Sequence, residues 1–228
     1  MLDIHYMIHT CKQREWYVDK YLVPSMIEQG IDPNCITIWV DREGYGNLES
    51  YMQSFNNIPI THSCWHIEDD VLLTSNFYSI TREYNDFNGI VTGFCSTYDK
   101  DRKDFYNEES DDLSKLWFSF PCIKLPNLLC KSLAYYYFNT DSDTYLNQFK
   151  EKKRGADTIF RRYLKKYYKG MKFINLNPNL VEHVDWLLNG STAEGKNNFR
   201  ATSIYFPEQE LVEKLEEELL KEKNINIL

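Results

Sequence analysis

Short apolar runs, each closed by a polar break and followed by a helically spaced segment, recur along the chain up to Cys95 and leave few folds open. Residues 2–9 read as a first strand that ends in the turn Thr10-Cys11-Lys12-Gln13-Arg14. Residues 16–29 then carry Tyr17, Tyr21, Leu22 and Met26 at helical spacing and stop at Gly30. Residues 35–40, Cys-Ile-Thr-Ile-Trp-Val, predict a second, buried strand closed by Asp41. A Gly-Tyr-Gly-Asn loop follows, then a short helix over 48–55. A further helix is expected around 75–84, where Thr74, Ser75 and Asn76 offer capping side chains. Residues 89–95 predict a third strand. This rhythm implies an α/β fold with a mainly parallel sheet flanked by helices. Such sheets bind ligands beyond the carboxyl ends of their strands. The Thr10–Arg14 turn and Asp41 would both face that edge.

The style changes after about residue 99. Residues 99–114 are dense in Asp, Glu, Lys and Asn, without an apolar period, and read as a mobile surface loop. Residues 117–125 predict a strand that Pro121 should kink or push to a sheet edge. Pro126 opens a helix through Ala134 to Phe138, and residues 157–168 form a strongly patterned one. Residues 173–176 predict a short strand, Asn177-Pro178-Asn179 its turn, and residues 208–223 a charged terminal helix.

A chain of 228 residues can bury a substantial core as one domain over 1–228. Its six cysteines form no Cys-x-x-Cys pair, which argues against structural zinc, and a chain this size needs no disulfide framework. They read as reduced thiols. Asp3, Lys12, Arg14 and Glu15 interrupt any apolar leader, and no segment approaches a membrane span, so a cytoplasmic protein is the expectation. The net charge of -8 argues against a dedicated nucleic-acid binder but hides an uneven distribution. Residues 150–172 hold ten Lys or Arg against two acids, whereas 208–223 hold seven Glu against three Lys.

The chemistry concentrates in Trp65-His66-Ile67-Glu68-Asp69-Asp70-Val71, three carboxylates between apolar steps. Strand alternation would point Glu68 and Asp70 one way and Asp69 the other. Two carboxylates would then share one hard cation, leaving Asp69 to accept hydrogen bonds from a sugar or ribose. Mg²⁺ and Mn²⁺ prefer oxygen ligands and use few protein carboxylates when phosphates complete the shell. A solvated turn or helix start has the same appearance. Placed at a hydrophilic strand end, Asp70 should be removable at little cost to stability.

The order Tyr-Met-Ile-His-Thr-x-x-x-Arg, Ile-Trp-Val-Asp, Trp-His-Ile-Glu-Asp-Asp-Val, then a late Glu-His-Val followed by Gly-Ser, resembles the GT-A fold (Rossmann-like) nucleotide-sugar glycosyltransferases. Glu68-Asp69-Asp70 looks like a degenerate form of that family's Asp-x-Asp motif. The resemblance implies a nucleotide-sugar half over 1–98, an acceptor half over 99–206 and a C-terminal helix and tail over 207–228. It implies that Asp70, Glu68 and His183 hold Mn²⁺ or Mg²⁺ on the diphosphate of a donor, a UDP-sugar most readily. Thr10 and Arg14 would hold the nucleotide, and Asp41 would accept from its base or ribose. Ser191, Thr192 and Lys196 would form a loop able to close over the diphosphate. Asp157, at the start of a helix, matches the place of the catalytic base in many inverting members; a carboxylate there also simply favours a helix N-terminus.

Arg161, Arg162, Lys165, Lys166 and Lys169 form one basic helix face. With aromatics at Trp117, Phe118, Phe120 and Tyr135 to Tyr137, it suggests an anionic polymer acceptor, such as hydroxymethylated pyrimidines in DNA or an acidic surface glycan. The same face also suits plain solvated surface. Two alternatives to glycosyl transfer stand beside it. One is a nucleotidyltransferase or metal phosphotransferase, which would want a glycine-rich phosphate loop that residues 9–14 lack. The other is a non-catalytic module for an anionic partner.

Overall fold

The computed structural model describes residues 4–58, 63–95, 106–116, 120–140, 143–152, 155–188 and 206–225. Its central sheet has six strands: β1 (His5–Cys11), β2 (Ile36–Asp41), β3 (Ser63–Glu68), β5 (Ile90–Thr92), β6 (Cys122–Pro126) and β7 (Phe173–Asn175). Their order is β2-β1-β3-β6-β5-β7. β1 pairs parallel with β2 and β3, β5 pairs parallel with β7, and β6 runs antiparallel between β3 and β5. Five of the six strands therefore share one direction, as the alternating rhythm predicts. A second, two-stranded sheet joins β4 (Val71–Leu73) to β8 (Val181–His183) in antiparallel register.

Strand alternation sorts the core into two layers. Met7 and Cys64 face one cluster, built with Leu48, Met52 and Phe55 of α3 (Asn47–Asn57). α5 (Asn127–Asn139) and α7 (Ala156–Tyr167) pack on the same side. Tyr6, Ile8, Trp65 and Ile67 face the other cluster. There they meet α1 (Glu15–Tyr17), a π-helical turn (Val18–Leu22), α2 (Val23–Glu28), α4 (Phe77–Glu83) and the amphipathic α8 (Gln209–Ile225).

Several expectations are corrected. β2 is an edge strand of intermediate burial rather than a buried one, because β1 is its sheet partner on one side only. β6 starts after Pro121 and lies inside the sheet, so the proline costs no ladder bond and forces neither a kink nor an edge. Within residues 99–114, the described part is pinned to β7: Ser110 and Phe173 exchange backbone hydrogen bonds, and Asn107 donates to the Asn175 carbonyl. A helix absent from the sequence reading, α6 (Thr144–Lys152), is started by Asp143, whose carboxylate accepts from the Leu146 amide at 3.1 Å. None of the six cysteines is disulfide-bonded, and four are buried. No described helix is long and apolar enough to cross a membrane.

Candidate metal centre

A cleft opens where β1, β2 and β3 end. β1 and its turn contribute His9, Thr10, Cys11 and Arg14; β3 and the bend after it contribute Glu68, Asp69 and Asp70. Asp41 and the start of α3 close the third side with Gly46, Asn47, Ser50 and Tyr51. Gly46 sits at φ 83°, a positive value that side-chain-bearing residues rarely adopt, as the loop enters the helix. β1 runs on to Cys11, so Thr10 belongs to the strand and not to the turn.

The acidic triplet does not alternate as a continuous strand would. β3 stops at Glu68 and the chain bends through Asp69 and Asp70, and all three residues line the cleft. Asp69 is held by the Thr10 hydroxyl at 2.7 Å, the Cys11 amide at 3.3 Å and the Arg14 guanidinium at 2.8 Å. The same Arg14 nitrogen also bonds Asp70. Arg14 is only 3% exposed, so it is not a surface ion pair; it bridges two buried acids. Asp70, also 3% exposed, is a buried member of this network, which overturns the expectation that its removal is cheap.

His183 reaches the same point from the opposite half of the chain. The β4–β8 register sets it across from Val71, and the Val184 amide bonds the Asp70 carbonyl at 2.7 Å. Its Nε2 lies 3.2 Å from Asp70 Oδ1 and its Nδ1 lies 3.6 Å from Asp185. Among the described residues, Asp70 Oδ1 and His183 Nε2, both buried, have no hydrogen-bond partner beyond the charge contact they make with each other. Ligand atoms of Glu68, Asp70 and His183 all lie within 4.8 Å of one another. Neighbouring ligands of an octahedral ion with bonds of about 2.0–2.1 Å sit about 3 Å apart. The buried pair therefore has the spacing of two ligands to one ion, and the mixed oxygen and imidazole set suits Mn²⁺ better than Mg²⁺. Asp185 places a second carboxylate on the other side of the ring, a charge contact too long for a hydrogen bond.

Charge coupling follows the geometry. Burial alone would lower the His183 pKa, but the Asp70 carboxylate beside it reverses this and holds the imidazole up to about 9. Burial would likewise raise Asp70; His183 and Arg14 outweigh it and keep the acid well below the usual carboxylate range. Burial and the neighbouring Asp70 charge lift Asp69 to about 6, against the pull of Arg14 and Thr10.

The remaining sequence candidates are placed differently. Asp41 lines the cleft, but its two carboxylate oxygens accept the Tyr45 and Gly46 amides at 3.0 and 2.9 Å and so shape the loop. Asp157 is an exposed residue in the first turn of α7 and is not among the residues lining the cleft. Ser191, Thr192 and Lys196, like Trp117 and Phe118, lie outside the described residues. The basic face of α7 is not uniform. Arg161 donates to the Leu116 carbonyl at 3.2 Å, Arg162 is exposed and lies 3.8 Å from Asp143, Lys165 and Lys166 are exposed, and Lys169 falls in a turn beyond the helix end at Tyr167, so it is not on the helix face. The proposed aromatic wall divides likewise: Phe120 and Tyr137 are buried in the core, and Tyr135 is 70% exposed. Sequence reasoning missed His9, Asn47, Ser50, Tyr51 and Asp185. A hint lay in the glycines flanking Tyr45 just after a strand-ending aspartate, which mark a loop folded back over that strand end.

No protein-family profile and no curated protein sequence matches the chain. Among solved structures, one described as a glucose-1-phosphate thymidylyltransferase from Bacillus anthracis, in complex with a sucrose, is similar at 10% identity. The match covers 75% of this chain and 85% of that one, with a TM-score of 0.44. A likeness at that level bears on neither activity nor ligand.

Proposed function

We propose that the chain is a metal-dependent glycosyltransferase that takes its sugar from a nucleoside-diphosphate donor bound in the strand-end cleft. The observation that carries this reading is the buried pair Asp70 Oδ1 and His183 Nε2, 3.2 Å apart, with Glu68 beside it. Glu68, Asp70 and His183 would hold Mn²⁺ or Mg²⁺, which when bound offsets charge on a departing diphosphate. Arg14 keeps Asp69 and Asp70 oriented, and Thr10 fixes the second oxygen of Asp69. Asp41, which the family resemblance implies for the base or ribose, lines one side of the cleft, and Asn47 and Ser50 beside it add polar groups for a nucleoside. Asp157 and the exposed lysines of α7 belong to the acceptor side of this reading, with an anionic polymer as acceptor.

Incubation with Mn²⁺ and a panel of nucleotide sugars tests it directly. Release of UDP or GDP, abolished by EDTA, is the expected result. Pyrophosphate released from a nucleoside triphosphate and a sugar phosphate would replace glycosyl transfer with nucleotidyl transfer. Silence in both assays would leave a binding module.

A further inference from the structure

The apolar positions of α3 that face the sheet are Leu48, Met52 and Phe55, and on that pattern a phenylalanine at position 51 would pack equally well. The chain instead has Tyr51, 2% exposed, whose hydroxyl donates to Glu68 Oε1 at 3.4 Å.

The ring is mounted on three sides. His9 stacks on it with centroids 4.0 Å apart, Phe120 lies at 4.3 Å and Phe55 at 5.8 Å. His9 is fixed in turn: its Nε2 is 2.9 Å from His66 Nδ1, and His66 Nε2 lies 3.7 Å from the Cys130 thiol on α5. This alignment follows from strand alternation. His66 and Glu68 point to the same side of β3, and β1 register places His9 beside Glu68. Asp69 and Asp70 are anchored by Arg14 and His183, on other elements. Tyr51 supplies Glu68, the more exposed member of the cluster, with a donor from a rigid helix.

Resting on the metal reading above, we infer that Tyr51 is a positioning residue for the metal centre, holding the Glu68 carboxylate toward Asp70 and His183 through its hydroxyl. Hydrogen-bond partners of metal ligands typically change affinity by about 10–100-fold when removed. The long 3.4 Å contact puts Tyr51 at the lower end of that span.

Binding of Mn²⁺ to the full chain, followed through the electron paramagnetic resonance signal of the free ion, tests this without any turnover. Tyr51→Phe keeps the ring and its stack, and should weaken Mn²⁺ binding about tenfold while retaining a cooperative melt. Glu68→Gln should weaken it as well. The double variant should bind no more weakly than Glu68→Gln alone, because the hydroxyl acts only through that carboxylate. Equal affinity in wild type and Tyr51→Phe, or losses that simply add, would overturn the inference while leaving the metal site standing. A wild-type chain that binds no Mn²⁺ would overturn the metal reading itself, and the inference with it.

Discussion

Replacing Asp70 by alanine separates the structural from the metal-binding role of the same carboxylate. In the folded chain Asp70 is 3% exposed and stands between two cations, Arg14 and a His183 held up to about 9. Removing one partner from a buried ion pair costs about 3–5 kcal/mol, because the other charge is left uncompensated. Two features moderate this here. Arg14 retains Asp69 at 2.8 Å, and His183 can shed its proton, with Asp185 still 3.6 Å away. The low end, about 3 kcal/mol, is expected. For a domain of this size each kcal/mol moves the melting temperature by about 2–4 °C, so Asp70→Ala should melt about 6–12 °C below wild type in EDTA. Adding Mn²⁺ at about 100 times its dissociation constant should stabilise wild type by about 2.7 kcal/mol and raise its melting temperature accordingly. The variant should not respond. Thermal unfolding followed by circular dichroism, with and without Mn²⁺, reads both effects. A variant melting with wild type in EDTA would refute the buried ion network. One that still rises with Mn²⁺ would refute the metal assignment.

The metal-free chain should also show a pH signature at His183. Its folded pKa of about 9 lies above the ordinary 6.5, so its stabilising contribution is complete below 6.5 and is lost as pH rises through 9. In EDTA, wild type should lose melting temperature across that window while His183→Gln stays flat; parallel curves would refute the pairing. Lys124, 1% exposed on β6, is lowered to about 8 by burial, its ammonium donating to the Phe87 carbonyl at 2.5 Å. That carbonyl also accepts from Gly89, so Lys124→Met leaves it partnered and should melt above wild type at pH 7. The gap should narrow between pH 8 and 10.5, where the folded lysine is neutral first; a gap independent of pH would contradict this. Arg162→Glu combined with Lys166→Glu should lower affinity for hydroxymethylated DNA or acidic glycans at low salt and flatten its salt dependence. Titrations that superimpose on wild type would reduce the α7 lysines to solvated surface.

Local periodicity made the elements around the cleft legible in the sequence. β1, β2, α3 and α7 lie within a few residues of where apolar spacing puts them, because each is specified by its own side chains. The chemistry of Glu68-Asp69-Asp70 was equally visible, being contiguous. Its geometry was not. Alternation fails at Asp69 because the chain leaves β3 there, and the bend is stabilised by Arg14 and Thr10, which the triplet itself does not encode. The loops over the cleft were legible only in outline, since what Asp41 bonds depends on how residues 44–46 fold back onto it.

By itself the sequence determined an α/β chain with polar strand ends gathered on one edge, since strand and helix periods are written residue by residue. The tertiary structure alone decided that β6 runs against its neighbours, that Arg14 is buried between two acids, and that His183 faces Asp70 through the β4–β8 register. Pairing between distant segments is chosen by which apolar faces they can bury together. The same choice sets which charges meet, and no local pattern records it.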